Sequence, residues 1–187
     1  MMKLRIALGF VALFALVAGA VLAGEAVKSG PQCGEELAGP FHPLNVTGPN
    51  AGEKQCLYCK NGNNPVAMIF AREVSGPLTT LVKKIDGATV DHKDAKMGSF
   101  VVFLSDSEDL PAKLKDIAEK ESIKECVLSI DNPAGPKGYK VSKDADVTVV
   151  LYTQRTVKAN YAFGKGELKD KDIEKIVADL PKILPEK

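Results

Sequence analysis

Three segments in which apolar residues predominate, at residues 66–71, 99–106 and 126–131, stand out in the pattern of hydrophobic and polar positions, and the first of them is apolar throughout. Runs of this length without polar alternation are typical of strands that are buried on both faces of a sheet. Two further apolar segments, 147–152 and 157–163, flank a four-residue polar connection and predict an antiparallel hairpin. The pattern therefore predicts a sheet whose central strands are covered on both sides.

Amphipathic stretches separate the strands and follow the hairpin. The first begins at Ser75, a predicted N-cap, and we expect Gly87 to end it. The second covers 109–120, and the third begins with Asp170 as its N-cap and ends before Pro181. Strands that alternate with helices imply parallel pairing and right-handed crossovers. The prediction is an α/β three-layer sandwich with a mixed central sheet, a C-terminal β-hairpin and a closing helix.

The N-terminal segment has a different pattern. Lys3 and Arg5 precede an apolar stretch that ends in the small-residue sequence Val21-Leu22-Ala23, which is the arrangement of a signal peptide (1–23). We expect export to the periplasm or the exterior, with no membrane attachment after cleavage. Residues 24–40 lack periodicity and predict a loose lead-in, which leaves 41–187 as one folded domain.

Charge and cysteine content narrow the classes of partner. The 25 Lys and Arg residues nearly balance the 24 Asp and Glu residues, and no basic block occurs, so we do not expect a nucleic-acid partner. We expect a monomer. The four cysteines of an exported chain would meet an oxidising compartment, and they allow three complete disulfide pairings.

Cys56 and Cys59 form a Cys-x-x-Cys pair that precedes the first apolar run. One interpretation is thiol–disulfide exchange, because the spacing closes a small ring and the neighbouring Lys54 and Lys60 would stabilise a thiolate. Cys56 would then attack, since the first cysteine of such a pair is commonly the exposed one, and Cys59 would resolve. A pair before the strand lacks support from a helix N-terminus, unless residues 51–59 are themselves helical.

Two other interpretations of the pair remain open. One is a structural crosslink, either between the two cysteines or from one of them to Cys33. The other is a zinc or copper site in which Cys33 and His42 complete the ligand set with Cys56 and Cys59, although these two extra ligands are scattered along the chain. Cys126 begins an interior strand and is expected to be a small buried hydrophobe. We predict no cofactor.

Several local stretches, in this order, resemble the thioredoxin fold, and especially its redoxin and peroxiredoxin-like branch. GPFHPLNVTG (39–48) is similar to the opening edge strand of that branch, and NPVAMIFARE (64–73) is similar to the central strand that carries the active site at its C-terminal end. IKECVLSIDNPAGPKGYKV (123–141) is similar to a redoxin strand and the acidic turn and short helix after it, and ADVTVVLYTQRTVKANYAF (145–163) is similar to the closing hairpin. The resemblance covers about residues 34–184.

The sequence departs from the family pattern at the place where the resemblance puts the active site. Thioredoxins have Trp-Cys-Gly-Pro-Cys after the central strand, and this chain has Val-Ser-Gly-Pro-Leu. Gly76 and Pro77 remain, but Ser75 and Leu78 stand where the two cysteines would be. A serine hydroxyl stays protonated and cannot replace a thiolate in disulfide exchange. The resemblance therefore implies a domain without the standard cysteines.

A second departure concerns the cis-proline that the family carries just before its hairpin strand. Val147 occupies the matching position, and we expect an ordinary trans bond there. Two functions follow as expectations. The first is thiol–disulfide exchange through Cys56 and Cys59, with protein thiols or disulfides as partners. The second is a non-catalytic binding module that holds a peptide near Ser75 and Val147.

Overall fold

The computed structural model describes residues 27–185. The predicted signal peptide and its cleavage site lie outside these residues. Within 27–185, no helix combines the length and the apolar character that a bilayer crossing requires.

Six strands form a mixed sheet with the order β1-β4-β3-β2-β5-β6. They are β1 (Leu44–Asn45), β2 (Val66–Ala71), β3 (Gly98–Leu104), β4 (Val127–Asp131), β5 (Val147–Thr153) and β6 (Thr156–Phe163). β2, β3 and β4 pair in parallel, whereas β1 and the β5–β6 hairpin add antiparallel strands at the two sides. The three apolar runs are thus confirmed as the adjacent parallel strands, and every residue of β2 is buried.

Helices cover the two faces of the sheet unequally. The helices are α1 (Leu57–Asn61), α2 (Gly76–Asp91), α3 (Leu110–Lys120) and α4 (Asp170–Ala178), and short 3₁₀ turns follow α2 and α4. The buried residues of α2, α3 and α4 share one core cluster with Ile69 of β2. The opposite cluster joins Met68 to α1, Phe41 and Tyr139, so irregular chain forms most of that layer. The predicted α/β architecture is confirmed.

Two predicted helix boundaries are wrong. α2 does not end at Gly87 but continues to Asp91. A side chain at Gly87 would meet nothing within 4 Å, and the buried Thr89 hydroxyl beyond it lies 2.7 Å from the Ser99 hydroxyl. This packing outweighs the cost of about 1 kcal/mol that glycine imposes on a helix interior. The N-cap of α4 is Lys169 rather than Asp170, because the Asp172 carboxylate accepts the Lys169 N–H.

The predicted lead-in is irregular, but within the described residues it is not loose. The Gly34 N–H donates to the carbonyl oxygen of Val157, and the Leu37 N–H donates to that of Arg155. The Ser29 hydroxyl is buried and lies 2.7 Å from the Thr148 hydroxyl of β5. Residues 27–40 therefore run beside β6 and hold to the sheet through hydrogen bonds that show no sequence periodicity.

Candidate functional site

A disulfide joins Cys56 to Cys59 at the start of α1. The two Cα atoms are 5.2 Å apart, within the ordinary range for a disulfide. Cys56 is the N-cap of the helix, and its Sγ accepts a hydrogen bond of 3.1 Å from the Cys59 N–H. The pair therefore does have the support of a helix N-terminus, the exception that the sequence left open, because residues 57–61 form a short helix directly after Cys56.

The two sulfur-bearing residues differ sharply in exposure. Cys56 is only 8% exposed and belongs to the core cluster on the α1 side of the sheet, together with Leu57 and Tyr58. Cys59 and the following Lys60 are exposed. The basis for choosing Cys56 as the attacking thiol is wrong, because the second cysteine of this pair faces solvent and the first packs against the sheet.

The pair lies at the end of the sheet where the parallel strands begin. The Asn61 side chain of α1 covers Gly98, the first residue of β3, so closely that a Cβ at Gly98 would have no room. The Gln154 N–H of the hairpin turn donates to the Asn63 carbonyl oxygen just after α1. The six residues of β2 then separate this end from the start of α2 by about 17 Å. The pair precedes the central strand in space as it does in sequence.

Arg155 is a residue of this region that the sequence patterns did not single out. Its guanidinium lies over the Tyr58 ring, 5.0 Å from the ring centroid, and so connects the hairpin turn to α1. Gln154 and Arg155 both have positive φ, 51° and 62°, as a tight two-residue hairpin turn requires. The four-residue connection predicted the turn, but nothing in it indicated that the turn would contact the helix.

The opposite end of β2 carries the residues that match the family's usual site. Ser75 caps α2, and its hydroxyl oxygen accepts a hydrogen bond of 3.4 Å from the Leu78 N–H. Leu78 itself is 1% exposed and forms part of the core. Val147 pairs with Ala71 at the end of β2, and residues 27–185 contain no cis peptide bond. The hydroxyl of Ser75 thus caps α2, and the side chain of Leu78 packs in the core.

A cleft of about 700 Å³ opens beside this corner. Glu73, Ser75, Asp146, Val147 and Lys165 are among the residues that line it, and the ammonium of Lys165 lies 2.7 Å from the Glu73 carboxylate. Burial, and after it the Glu73 charge, raises the pKa of Asp146. The lining contains no cysteine, so disulfide exchange cannot take place in this cleft.

The structure does not bring the proposed metal ligands together. Among residues 27–185, no group of three or more His, Cys, Asp and Glu side chains is arranged to hold a metal ion. Cys33 is exposed and has no disulfide partner, and its thiol donates to the Lys158 carbonyl oxygen of β6. His42 is also exposed, in the segment before β1.

Cys126 is a core residue, as expected. It is 3% exposed, and burial raises the pKa of its thiol to about 12. A thiol in this state is almost wholly protonated at neutral pH, so it is a poor nucleophile.

The cysteines that the thioredoxin family carries are absent from the start of α2, but the chain does have a bonded Cys-x-x-Cys pair at the other end of the sheet.

Comparisons with known proteins find similarity in structure alone. No protein-family model matches the chain, and no curated protein matches it in sequence. A Bacteroides thetaiotaomicron protein, provisionally named a protein disulfide isomerase, has a TM-score of 0.64 at 16% identity over 86% of this chain and 96% of its own. A secreted Mycobacterium tuberculosis disulfide oxidoreductase, homologous to E. coli DsbE, has a TM-score of 0.51 at 8% identity over 74% of this chain and 94% of its own.

A peroxidase belongs to the same set of similar structures. The thiol peroxidase from Chromobacterium violaceum has a TM-score of 0.55 at 13% identity, over 82% of this chain and 90% of its own. Identities this low show the fold alone. The chain has the thioredoxin fold, and its structural neighbours include DsbE-like oxidoreductases and peroxidases.

Proposed function

We propose that this protein is an exported thiol–disulfide exchange protein whose redox centre is the Cys56–Cys59 disulfide. The observation that carries the proposal is a disulfide with one buried and one exposed cysteine, on a thioredoxin fold. A structural crosslink is commonly shielded from other thiols, whereas a bond that exchanges must present a sulfur to them. The substrates are protein thiols or disulfides, and the protein acts as a monomer.

Export is part of the proposal. It is supported by the signal-peptide pattern of residues 1–23 and by the secreted disulfide oxidoreductase among the structural neighbours. The oxidising conditions outside the cytoplasm keep such a pair in the disulfide form until a substrate thiol reduces it. In one turnover the pair accepts two electrons and two protons, and two substrate thiols become one disulfide.

Reduction of insulin by the protein tests the proposal. The wild type, driven by a dithiol, should accelerate insulin reduction, and Cys56→Ser and Cys59→Ser should each abolish the acceleration. Cys33→Ser is the matched control, because it removes an exposed thiol that has no disulfide partner in the structure. If glutathione does not reduce the bridge in the folded protein and no turnover occurs, the bridge is a structural crosslink instead. Metal analysis of the same sample tests the alternative site made of Cys and His ligands.

The cleft at the start of α2 favours a second candidate, a non-catalytic binding module. Its walls combine the exposed apolar ring of Pro77 with the charged groups of Glu73 and Lys165, a mixture that suits an extended polar peptide. The two candidates separate by substitution, because Lys165→Glu alters the cleft and leaves the disulfide unchanged. A partner protein whose binding is lost on Lys165→Glu but kept on Cys59→Ser would favour the binding module.

A further inference from the structure

We propose that Cys59 is the sulfur that substrates meet and that Cys56 is the leaving and resolving sulfur, the reverse of the order that sequence position suggests. This inference rests on the proposed exchange function and assigns a role in it to each of the two cysteines. It follows from where each sulfur lies relative to the protein surface, and not from the acidity of either thiol.

Access decides which sulfur can be attacked. A thiolate that displaces a disulfide approaches along the S–S axis, from the side opposite the leaving sulfur. Attack at Cys59 brings the incoming group from solvent, because Cys59 is exposed. Cys56 is buried and belongs to the same core cluster as Phe41, Leu57 and Tyr58, so an incoming group would have to displace packed side chains to reach its sulfur. The buried side of the bond is therefore closed to a protein substrate.

The hydrogen bonding of the pair agrees with this order. Cys56 Sγ already accepts the Cys59 N–H at 3.1 Å, and a donor aimed at sulfur favours negative charge there. Burial disfavours a negative charge on Cys56, and the hydrogen bond from the Cys59 N–H partly offsets this cost when Cys56 is released as a thiolate. The donor lies on Cys59 itself, so it remains in place while a substrate occupies that residue.

A substrate thiolate attacks Cys59 Sγ, forms a new S–S bond to it, and releases Cys56 as a thiolate that takes a proton from water. A second substrate thiolate then attacks the first substrate sulfur and releases Cys59 as a thiolate. The substrate pair is oxidised to a disulfide and the protein pair is reduced. In the opposite direction, Cys59 attacks a substrate disulfide, and Cys56 displaces the bound substrate from Cys59.

Single-cysteine variants test the order, in a Cys33→Ser background that removes the other exposed thiol. Cys56→Ser is a mild change, because serine is a favoured N-cap and its hydroxyl can accept the same N–H. Reduced Cys56→Ser should form a mixed disulfide with oxidised glutathione at Cys59, at least about tenfold faster than Cys59→Ser forms one at Cys56. Circular dichroism of both variants verifies that each is folded.

Mapping on the intact pair gives a second readout that needs no disruption of the site. Oxidised Cys33→Ser protein is treated with reduced glutathione, quenched with an alkylating agent and digested, and mass spectrometry locates the two modifications. Glutathione on Cys59 with the alkyl group on Cys56 is the expected result. The opposite labelling, or equal rates in the two serine variants, overturns the order. No glutathione on either residue, with the bridge intact, overturns the exchange function itself.

Discussion

Reduction of the Cys56–Cys59 bond should lower the stability of the fold by a small and calculable amount. The two residues are three positions apart, so the bond closes a very short ring and removes little entropy from the unfolded chain. The chain-entropy relation gives about 2 kcal/mol for a ring of this size. For a protein of this length that corresponds to a fall of about 4–8 °C in the melting temperature.

The same quantity links folding to the redox chemistry. If oxidation stabilises the folded state by about 2 kcal/mol, the reduction potential of the pair is about 40 mV lower in the folded protein than in the unfolded one. Thermal or urea unfolding of the oxidised and reduced forms gives the difference in stability. Glutathione titrations of the folded and urea-unfolded protein give the difference in reduction potential, and the thermodynamic cycle requires the two differences to agree.

One variant serves as the control for this prediction. Cys59→Ser cannot form the bond, so its melting temperature should match that of the reduced wild type and should not change when reductant is added. The reasoning is refuted if the reduced protein is more stable than the oxidised one, because the native state would then oppose the bond. It is also refuted if reduction unfolds the protein, because a short ring cannot supply that much stability.

Three further predictions concern stability and charge. Asp86 is buried and accepts three successive backbone N–H groups before β4, so Asp86→Ala should lower the free energy of unfolding in urea by about 2–4 kcal/mol and Asp86→Asn by less. Lys60→Glu, beside the exposed sulfur, should slow exchange with anionic glutathione about threefold to tenfold at low salt and less at high salt, whereas Lys115→Glu on α3 should not. Burial raises the pKa of Asp146, so its ionisation weakens the folded state once the pH exceeds the unfolded pKa. Asp146→Asn should therefore raise the melting temperature near about pH 7 and leave it unchanged near about pH 3, with the exposed Asp144→Asn as its control.

Most of the sheet could be predicted from the sequence, because its signal is local. β2 is apolar throughout and apolar residues dominate β3 and β4, and this pattern persists whatever surrounds the strands. The end of α2 could not be predicted from the glycine at position 87, because the helix continues past it through the contact of Thr89 with Ser99 of a neighbouring strand. Residues 27–40 follow the same rule, since several of their hydrogen bonds go to Thr148, Arg155 and Val157 of the hairpin, more than a hundred residues away in sequence.

The candidate site was predictable in its residues but not in its orientation. The Cys-x-x-Cys spacing identified Cys56 and Cys59 as a pair, and their order along the chain placed them before β2. A helix of five residues is too short to show an amphipathic pattern, and burial of Leu57 and Tyr58 rather than helix propensity holds it in place. Which sulfur faces solvent is a consequence of that packing, so no rule based on the order of the cysteines could supply it.

The start of α2 is occupied by residues that stabilise the fold and not by cysteines. Ser75 supplies the cap of a sixteen-residue helix, and Leu78 is a fully buried member of the main core cluster. Replacing that leucine with a smaller side chain would leave a cavity, and comparable truncations cost about 2–5 kcal/mol. Both positions therefore contribute to the stability of the fold. Because β2 holds the two ends about 17 Å apart, substitutions at Ser75 and at Cys59 should act independently, one on the helix and the cleft and the other on the disulfide.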